Sequence, residues 1–492
     1  MAIKFSAATL RTFTVLHTWV GLVAGFGLFV AFYAGALTIF HHDLPQWQSP
    51  TSTTQVMQSV EDAGAFLNEV TAHNADARKL VGMTFPGDHG ATAIAYWQRA
   101  DGQWLYAWPG QIEGSLQPPQ AGLASLVNEL HYSLGLPVAG IYLMGVVSLL
   151  YGMALLSGLV IHLPRLFKDL FALRPGRNIK QMWQDAHNLI GVLSLPFHLL
   201  FAVTGALLCL MLLQMAALNP LIYDGRLLEV MGGAMDPAPV RAAANEAVAP
   251  GSLRDLHDRA IAEAQRQGVD DFEPAYLKVA NAGDRNATIE ITGETGTSVG
   301  AYTAVALDAN TGEILATQLP GNRDANHATI SAAYALHFGE FGNALVAWLY
   351  FLLGIGGAFL FYSGNLLWIE SRRKRRQVLQ GRAQINMARA TVGICIGLCV
   401  AVSAAFIAVQ VLERFAPASV DAGMRWACFL TWGGCALWAA LRQPARAVRE
   451  LLWLAAGVTA LIPVAHGLCT GRWFWLMGAQ GHWPLLDRKS TR

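Results

Sequence analysis

The sequence predicts an α-helical polytopic membrane protein of about seven spans. Its expected core is four helices in two repeated hairpins, with a small α+β domain between the helices of each hairpin. Three observations predict this architecture. Long uncharged runs recur along the chain, basic residues gather in short segments between them, and one pattern of histidine and glycine occurs twice.

The runs come first. Of 492 residues, 54% are hydrophobic and 14% charged, and mean hydropathy is +0.36. Stretches of about 18 or more apolar residues read as membrane spans. Seven fit: 13–40, 139–163, 188–213, 343–369, 390–412, 424–441 and 451–469. The sixth is the shortest. The first has the basic start and the Ala34-Gly35-Ala36 end of a cleavable leader. It is longer than a leader's apolar stretch. Its ending also recurs at Gly205-Ala206-Leu207, so no cleavage is expected.

Charge orients the spans. The net charge is +1, but Lys and Arg cluster: Lys4 and Arg11; Arg165, Lys168, Arg174, Arg177 and Lys180; Arg372, Arg373, Lys374, Arg375 and Arg376; Arg442, Arg446 and Arg449. Each cluster falls where alternating crossings place the cytoplasm, which puts the N-terminus inside and the C-terminus outside. The run after Trp368 reads as a topology anchor facing lipid headgroups. No nucleic-acid partner is expected.

The chain then divides at 1–42 (first span), 43–130 (first outer domain), 131–213 (spans two and three with a basic inner loop), 214–336 (second outer domain), 337–378 (fourth span and basic segment) and 379–492 (a C-terminal group of about three spans). In the second outer domain, Leu253 to Gln267 has the period of an amphipathic helix. Tyr276–Val279, Thr288–Ile291 and 301–307 alternate like strands, and Leu307-Asp308-Ala309-Asn310-Thr311-Gly312-Glu313-Ile314-Leu315 reads as strand, tight turn, strand. In the first, Thr92–Trp97 and Gln103–Trp108 suggest an aromatic hairpin. Its Trp97, Trp104, Tyr106 and Trp108 either pack one sheet face or line a ligand surface.

The six cysteines, Cys209, Cys395, Cys399, Cys428, Cys435 and Cys469, all lie in or beside apolar runs. Small apolar packing is the expected role, not a disulfide framework. The cluster Gly354-Ile355-Gly356-Gly357 sits inside a span with no strand before it, so it is helix packing, not a dinucleotide loop.

The repeat carries the chemistry. His17-Thr18-Trp19-Val20-Gly21 opens a run that reaches Gly35, 18 positions on, and His187-Asn188-Leu189-Ile190-Gly191 opens one that reaches Gly205, also 18 positions on. Leu130-His131 leads to Ser157-Gly158 and Leu336-His337 to Ser363-Gly364, each 27 positions from histidine to glycine. A histidine beside a membrane span is costly unless paired or ligated. At about 1.5 Å per residue, 18 positions cover about 27 Å, nearly the depth of a bilayer core. A pseudo-twofold along the membrane normal sets His17 opposite His187 near the inner face and His131 opposite His337 near the outer face. Facing imidazoles are what bis-histidine haem requires. Two such sites make an electron path across the membrane.

Other histidines stay open. His162, equivalent to Trp368, and His198, equivalent to Leu28, read as alternative ligands, partners to a haem propionate or proton relays. His41 and His42 could assist the outer site or bind a substrate metal. His466 reads as structural. His73, His89, His257, His327 and His482 carry no spacing signal. No HExxH motif or Cys/His quartet supports zinc, and the short inner segments leave no room for a nucleotide domain.

With the Asp308–Glu313 turn, the four histidine segments resemble the PepSY-associated transmembrane family over about residues 10–378. The resemblance implies a bacterial inner-membrane protein with periplasmic PepSY-like domains. Several members, of the FoxB type, are di-haem reductases of ferric siderophores. The family's motif histidines fall on His17, His131, His187 and His337. It implies two b-type haems per chain, a ferric siderophore as substrate, and release of iron as Fe(II). The electron donor is external, either membrane quinol or a cytoplasmic reductant. Two other classes compete: a solute transporter, which needs polar residues lining mid-membrane, and a PepSY-type regulator, which leaves the repeated histidines without a purpose. Residues 390–492 lie beyond the resemblance and could add a partner interface or a quinone site.

Overall fold

The computed structural model describes residues 5–48, 59–85, 93–116, 122–165, 178–227, 237–300, 303–323, 325–339, 341–373 and 380–473. Lys4, Lys168, Arg174, Arg177 and Lys374–Arg376 of the basic clusters, together with Thr92, His89 and His482, lie outside them. Packing divides the chain into two compact units. One holds Met1–Pro50, Gly122–Leu213 and Ala347–Leu485; the other holds Thr51–Ala121, Gln214–Val346 and Leu486–Arg492.

The first unit is helical. Helix α1 (Ala7–Thr38) is a single 32-residue rod whose first turn is capped by Ser6, which accepts from the Thr9 amide at 3.1 Å. A short α2 (Asp43–Gln48) comes after it. In the second unit come α3 (Val60–His73) and α4 (Ala75–Lys79). The chain returns to the first unit with α5 (Leu123–Ser133) and α6 (Ala139–His162). His131 therefore sits on a short helix before the span. Left-handed Leu134, Gly135 and the nearby Pro137 separate the two helices.

Next are α7 (Ile179–Leu193) and α8 (Leu195–Cys209), which meet at a 70° bend, then α9 (Met211–Ile222). Helices α10 (Leu253–Arg266) and α11 (Ala325–Phe338) belong to the second unit. Last among the described residues come α12 (Ala344–Ser371), α13 (Arg382–Phe415, with a π-helical turn at Val392–Ile396), α14 (Val420–Leu441) and α15 (Pro444–Thr470).

Among the described residues, α1, α6, α12, α13 and α15 are long and apolar enough to cross a membrane, and the bent α7–α8 pair makes a sixth. The chain is thus a multi-pass membrane protein with five or six such helices. The sixth run, expected at 424–441, is the 22-residue α14. It falls outside that set, because Arg425 and the interspersed Trp and Gly residues lower its mean hydropathy.

In the second unit the two polar segments share a sheet, a pairing the sequence pattern does not foresee. One eight-stranded antiparallel sheet, in the order β4-β3-β2-β1-β5-β6-β7-β8, draws half its strands from each polar segment. The first supplies β1 (Leu80–Thr84), β2 (Ala95–Gln98), β3 (Trp104–Trp108) and β4 (Gln111–Ser115). The second supplies β5 (Glu273–Ala280), β6 (Thr288–Glu294), β7 (Thr303–Asp308) and β8 (Ile314–Gln318). The halves join where β1 pairs β5, Val81 opposite Val279 and Met83 opposite Leu277. Each of these four apolar side chains is buried, so neither half-sheet has a finished core alone.

Helix α10 lays Leu253, Leu256, Ala260 and Ala264 on the sheet, as the amphipathic period predicts. The β7–β8 turn forms as expected. The Asp308 carboxylate accepts from the Asn310 and Thr311 amides, each at 3.1 Å, and Gly312 takes φ +72°. The aromatic hairpin has a packed face and an exposed one. Trp97 is packed away at 2% exposure while Trp104, on the opposite face beside Tyr96, is 50% exposed.

Candidate cofactor site

The site grows from three histidines held in one way. In the first unit, His17 of α1 lies against α6. Its Nδ1–H donates to the Ala154 carbonyl at 2.8 Å, with the Ser157 hydroxyl 3.4 Å from the same nitrogen. His187 of α7 lies against α12. Its Nδ1–H donates to the Leu360 carbonyl at 3.0 Å, with Ser363 Oγ at 3.2 Å. The partners are themselves repeat equivalents, Ala154-Ser157-Gly158 matching Leu360-Ser363-Gly364. His131 of α5 donates from Nδ1 to the Ala31 carbonyl at 2.7 Å, beside Gly35 of α1.

In each seat the acceptor carbonyl lies four residues before a glycine, and the imidazole rests on that glycine. A Cβ at Gly158 would stand 3.1 Å from His17 Cε1, one at Gly364 3.2 Å from His187 Cε1, and one at Gly35 2.6 Å from His131 Nδ1. The last is closer than real Cβ atoms come, so the His131 seat demands glycine. A helix bares its carbonyl and its surface most where it lacks a side chain. This is why a Ser-Gly pair or a lone glycine marks each seat.

The bond fixes the tautomer. A carbonyl only accepts, so Nδ1 must carry the proton, and at His17 and His187 Nε2 keeps the lone pair. This is how metal-binding imidazoles are commonly oriented.

His17 and His187 face each other, with ring centroids 6.2 Å apart and planes at 79°. A metal–imidazole nitrogen bond is about 2.0 Å and the ring centre about 1.2 Å beyond, so two imidazoles trans on one metal hold centroids about 6.4 Å apart. An edge-to-face ring pair also fits this separation. The committed Nδ1 atoms favour the first reading, because both rings are held with Nε2 unspent. Among the described residues no group of three or more His, Cys, Asp or Glu side chains converges on a metal position. Haem asks only for two axial side chains, since its ring supplies the other ligands. The donor set at His17 and His187 therefore fits haem.

The remaining candidate residues are dispersed. His337, on α11, belongs to the second unit and His131 to the first, so their pairing rests on the sequence repeat. His162 ends α6 and is partly exposed. His198 is fully buried on α8, its Nε2 2.9 Å from Ser194 Oγ, while its Nδ1 meets no partner. Its ring touches Phe32, Tyr151 and Phe197. With Phe201 and Phe361 these rings form a continuous aromatic cluster on α1, α6, α8 and α12. The His41 and His42 rings lie tilted against one another, with centroids 3.8 Å apart. His466 stacks on Trp47 at 5.1 Å.

Cys395 and Cys399 are buried or nearly so, and the Cys399 thiol donates to the Cys395 carbonyl at 3.4 Å. Sequence reasoning missed the seat carbonyls, since backbone acceptors carry no residue identity. The recurring Ser-Gly pair was the usable signal.

Two similarities place the chain. The family model described as PepSY-associated TM region matches residues 14–371. The chain is also similar to Uncharacterized protein PA4219 of Pseudomonas aeruginosa, with 27% identity over 356 residues, covering 70% of this chain and 82% of that protein.

Proposed function

This chain belongs to the PepSY-associated transmembrane family, and we propose that it is a di-haem b-type oxidoreductase of the bacterial inner membrane. In this reading it passes electrons outward to Fe(III) held by a siderophore in the periplasm. Hard oxygen donors hold Fe(II) less tightly than Fe(III), so reduction releases the metal. The observation that carries the reading is the pair His17 and His187, held by equivalent carbonyls at the spacing of two axial ligands.

Haem, when bound, supplies one-electron chemistry at a potential set largely by its axial ligands. The chain's own residues do the rest. Ala154, Leu360 and Ala31 each accept from the Nδ1–H of an imidazole, and at His17 and His187 this tautomer leaves Nε2 to serve as a ligand. Gly158, Gly364 and Gly35 let the rings approach. Along α1, His17 and the Ala31 carbonyl are about 21 Å apart, which sets two levels in the membrane. Phe32, Tyr151, Phe197, Phe201 and Phe361 keep the space around His198 dry and polarisable.

The shared sheet supports one side for both polar segments, with α6 and the bent α7–α8 pair each read as a span between them. The basic clusters favour the periplasm as that side. No inner segment is long enough for a nucleotide domain, so quinol or a cytoplasmic reductant is the donor.

The test is a dithionite-reduced minus oxidised spectrum of the detergent-purified protein with a pyridine haemochrome count. About two b-type haems per chain, reoxidised by a ferric chelate, are expected. In His131→Ala one haem should be lost and the other kept. A colourless protein expressed with ample haem sinks the reading.

A further inference from the structure

The family match ends at residue 371, and two helices beyond that point, α13 and α14, pack against the helix that carries His131. Helix α5 has 11 residues and is too short to be stable alone. Its capping residue, Gly122, supplies no side-chain cap. Instead Gln48 Oε1 accepts from the Leu123 amide at 2.9 Å, and Gln48 Nε2 donates to Glu413 of α13 at 2.8 Å. Gln410 of α13 donates to the carbonyls of Trp47 and Gln48, both at 3.3 Å.

Further along, Arg425 of α14 grips Glu129 with both arms of its guanidinium, Nη1 to Oε2 at 2.5 Å and Nη2 to Oε1 at 2.8 Å. Asp421 holds Arg425 Nε from behind at 3.0 Å. The side chains of Arg425 and Glu129 are only 26% and 29% exposed. At the end of the helix, a Cβ at Gly135 would stand 2.7 Å from Phe429 of α14.

The geometry of a helix gives these contacts their meaning. Residues two apart project about 200° from one another, so Glu129 and His131 leave α5 on opposite sides. One side meets α14 through Arg425; the other meets α1 at Ala31 and Gly35. The His131 seat has no slack, as the Gly35 approach shows. Any rotation of α5 moves the imidazole off the Ala31 carbonyl.

We propose that the helices after the family region, α13 and α14, are a brace for the His131 seat, and that Arg425 is a positioning residue that fixes the rotation of α5 through Glu129. The effect on a cofactor rests on the function proposed above; the brace itself does not.

The test therefore has two arms on the full-length protein in detergent. Hydrogen–deuterium exchange of residues 123–133 reads the brace without any cofactor. Arg425→Ala should speed that exchange about tenfold, the scale of a lost charge-assisted fork. Glu129→Ala should do the same, and the double variant should be no worse than either single one. Arg425→Lys, which keeps the charge and loses the fork, should fall between.

A redox titration reads the consequence. The haem that disappears in His131→Ala should change its midpoint potential in Arg425→Ala, while the other haem keeps its own. Unchanged exchange in Arg425→Ala overturns the brace. Equal shifts in both haems, with faster exchange throughout, overturn the positioning role in favour of general destabilisation. If the parent protein binds no haem, the proposed function fails while the exchange result still decides the brace.

Discussion

The two helices that open the hairpins started from one pattern and ended in different shapes. Helix α1 runs straight for 32 residues, whereas α7 and α8 bend by 70° at Ser194. The cause is local. Pro196 stands where α1 has Phe26, and it can neither donate to the Val192 carbonyl nor fit beside it. Ser194 stands where α1 has Ala24, and its hydroxyl bonds the Ile190 carbonyl at 2.5 Å. His198 stands where α1 has Leu28 and takes up Ser194 Oγ.

Yet His17 and His187, upstream of these differences, keep matching partners. The lesson is that the seat is made by the histidine and the Ser-Gly pair on the neighbouring helix. The rest of the opening helix is free to diverge.

Four experiments break or sharpen this comparison. The largest effect belongs to the matched histidines. His17→Ala and His187→Ala should each remove one haem and halve the haemochrome yield. If His17→Ala is colour-poor and His187→Ala keeps both haems, the two copies do not share a site.

Next come the glycines. Gly35→Ala forces the His131 ring to move, at about 1–3 kcal/mol for overpacking. Its haem should be lost more readily in a dilution or competition assay. Gly158→Ala and Gly364→Ala, with half an ångström more room, should do less, and equally.

The third makes the second copy like the first. His198→Leu replaces a ring with an unpaired buried Nδ1, so Tm should hold or rise by the equivalent of about 1 kcal/mol, with haem content unchanged. Loss of a haem would instead make His198 a ligand.

The smallest effect is acid loosening of α5. The Arg425 guanidinium holds the Glu129 carboxyl below its ordinary range, against the opposing pull of burial. A carboxyl lowered on folding stabilises above its unfolded pKa, and that stability fades as pH falls through the lowered folded value. Exchange protection of residues 123–133 should be full near neutrality and decline below the usual carboxylate range. Protection that declined earlier, across the histidine range, would point elsewhere.

Much of this was legible in the residues. Uncharged runs located α1, α6, α12, α13 and α15, the ends falling within about eight residues, since a span must be long and apolar whatever it packs against. The repeat, with a pseudo-twofold along the membrane normal, sets His17 opposite His187, and the ring centroids lie 6.2 Å apart. The shared sheet was not legible. Strands β1 and β5 lie in segments separated by two spans, and alternation reports that a strand exists, not which strand it joins. The bend had a signal in Leu195-Pro196, hidden because the surrounding run is apolar on every side. The brace was out of reach, because Glu129 and Arg425 are ordinary charges until folding brings them together from nearly 300 positions apart.

The joined sheet also imposes a schedule on the ribosome. Strands β1–β4 are synthesised early, and the partner that covers β1 begins only at Glu273. At about 5–20 residues per second the interval is about 10–40 s. Throughout it, β1 lacks the strand that pairs it, and Val81 and Met83 lack part of the cover that buries them in the finished sheet. An edge in that state is where wrong pairing is easiest, so a slower supply of β5 should raise the yield of misassembled chains.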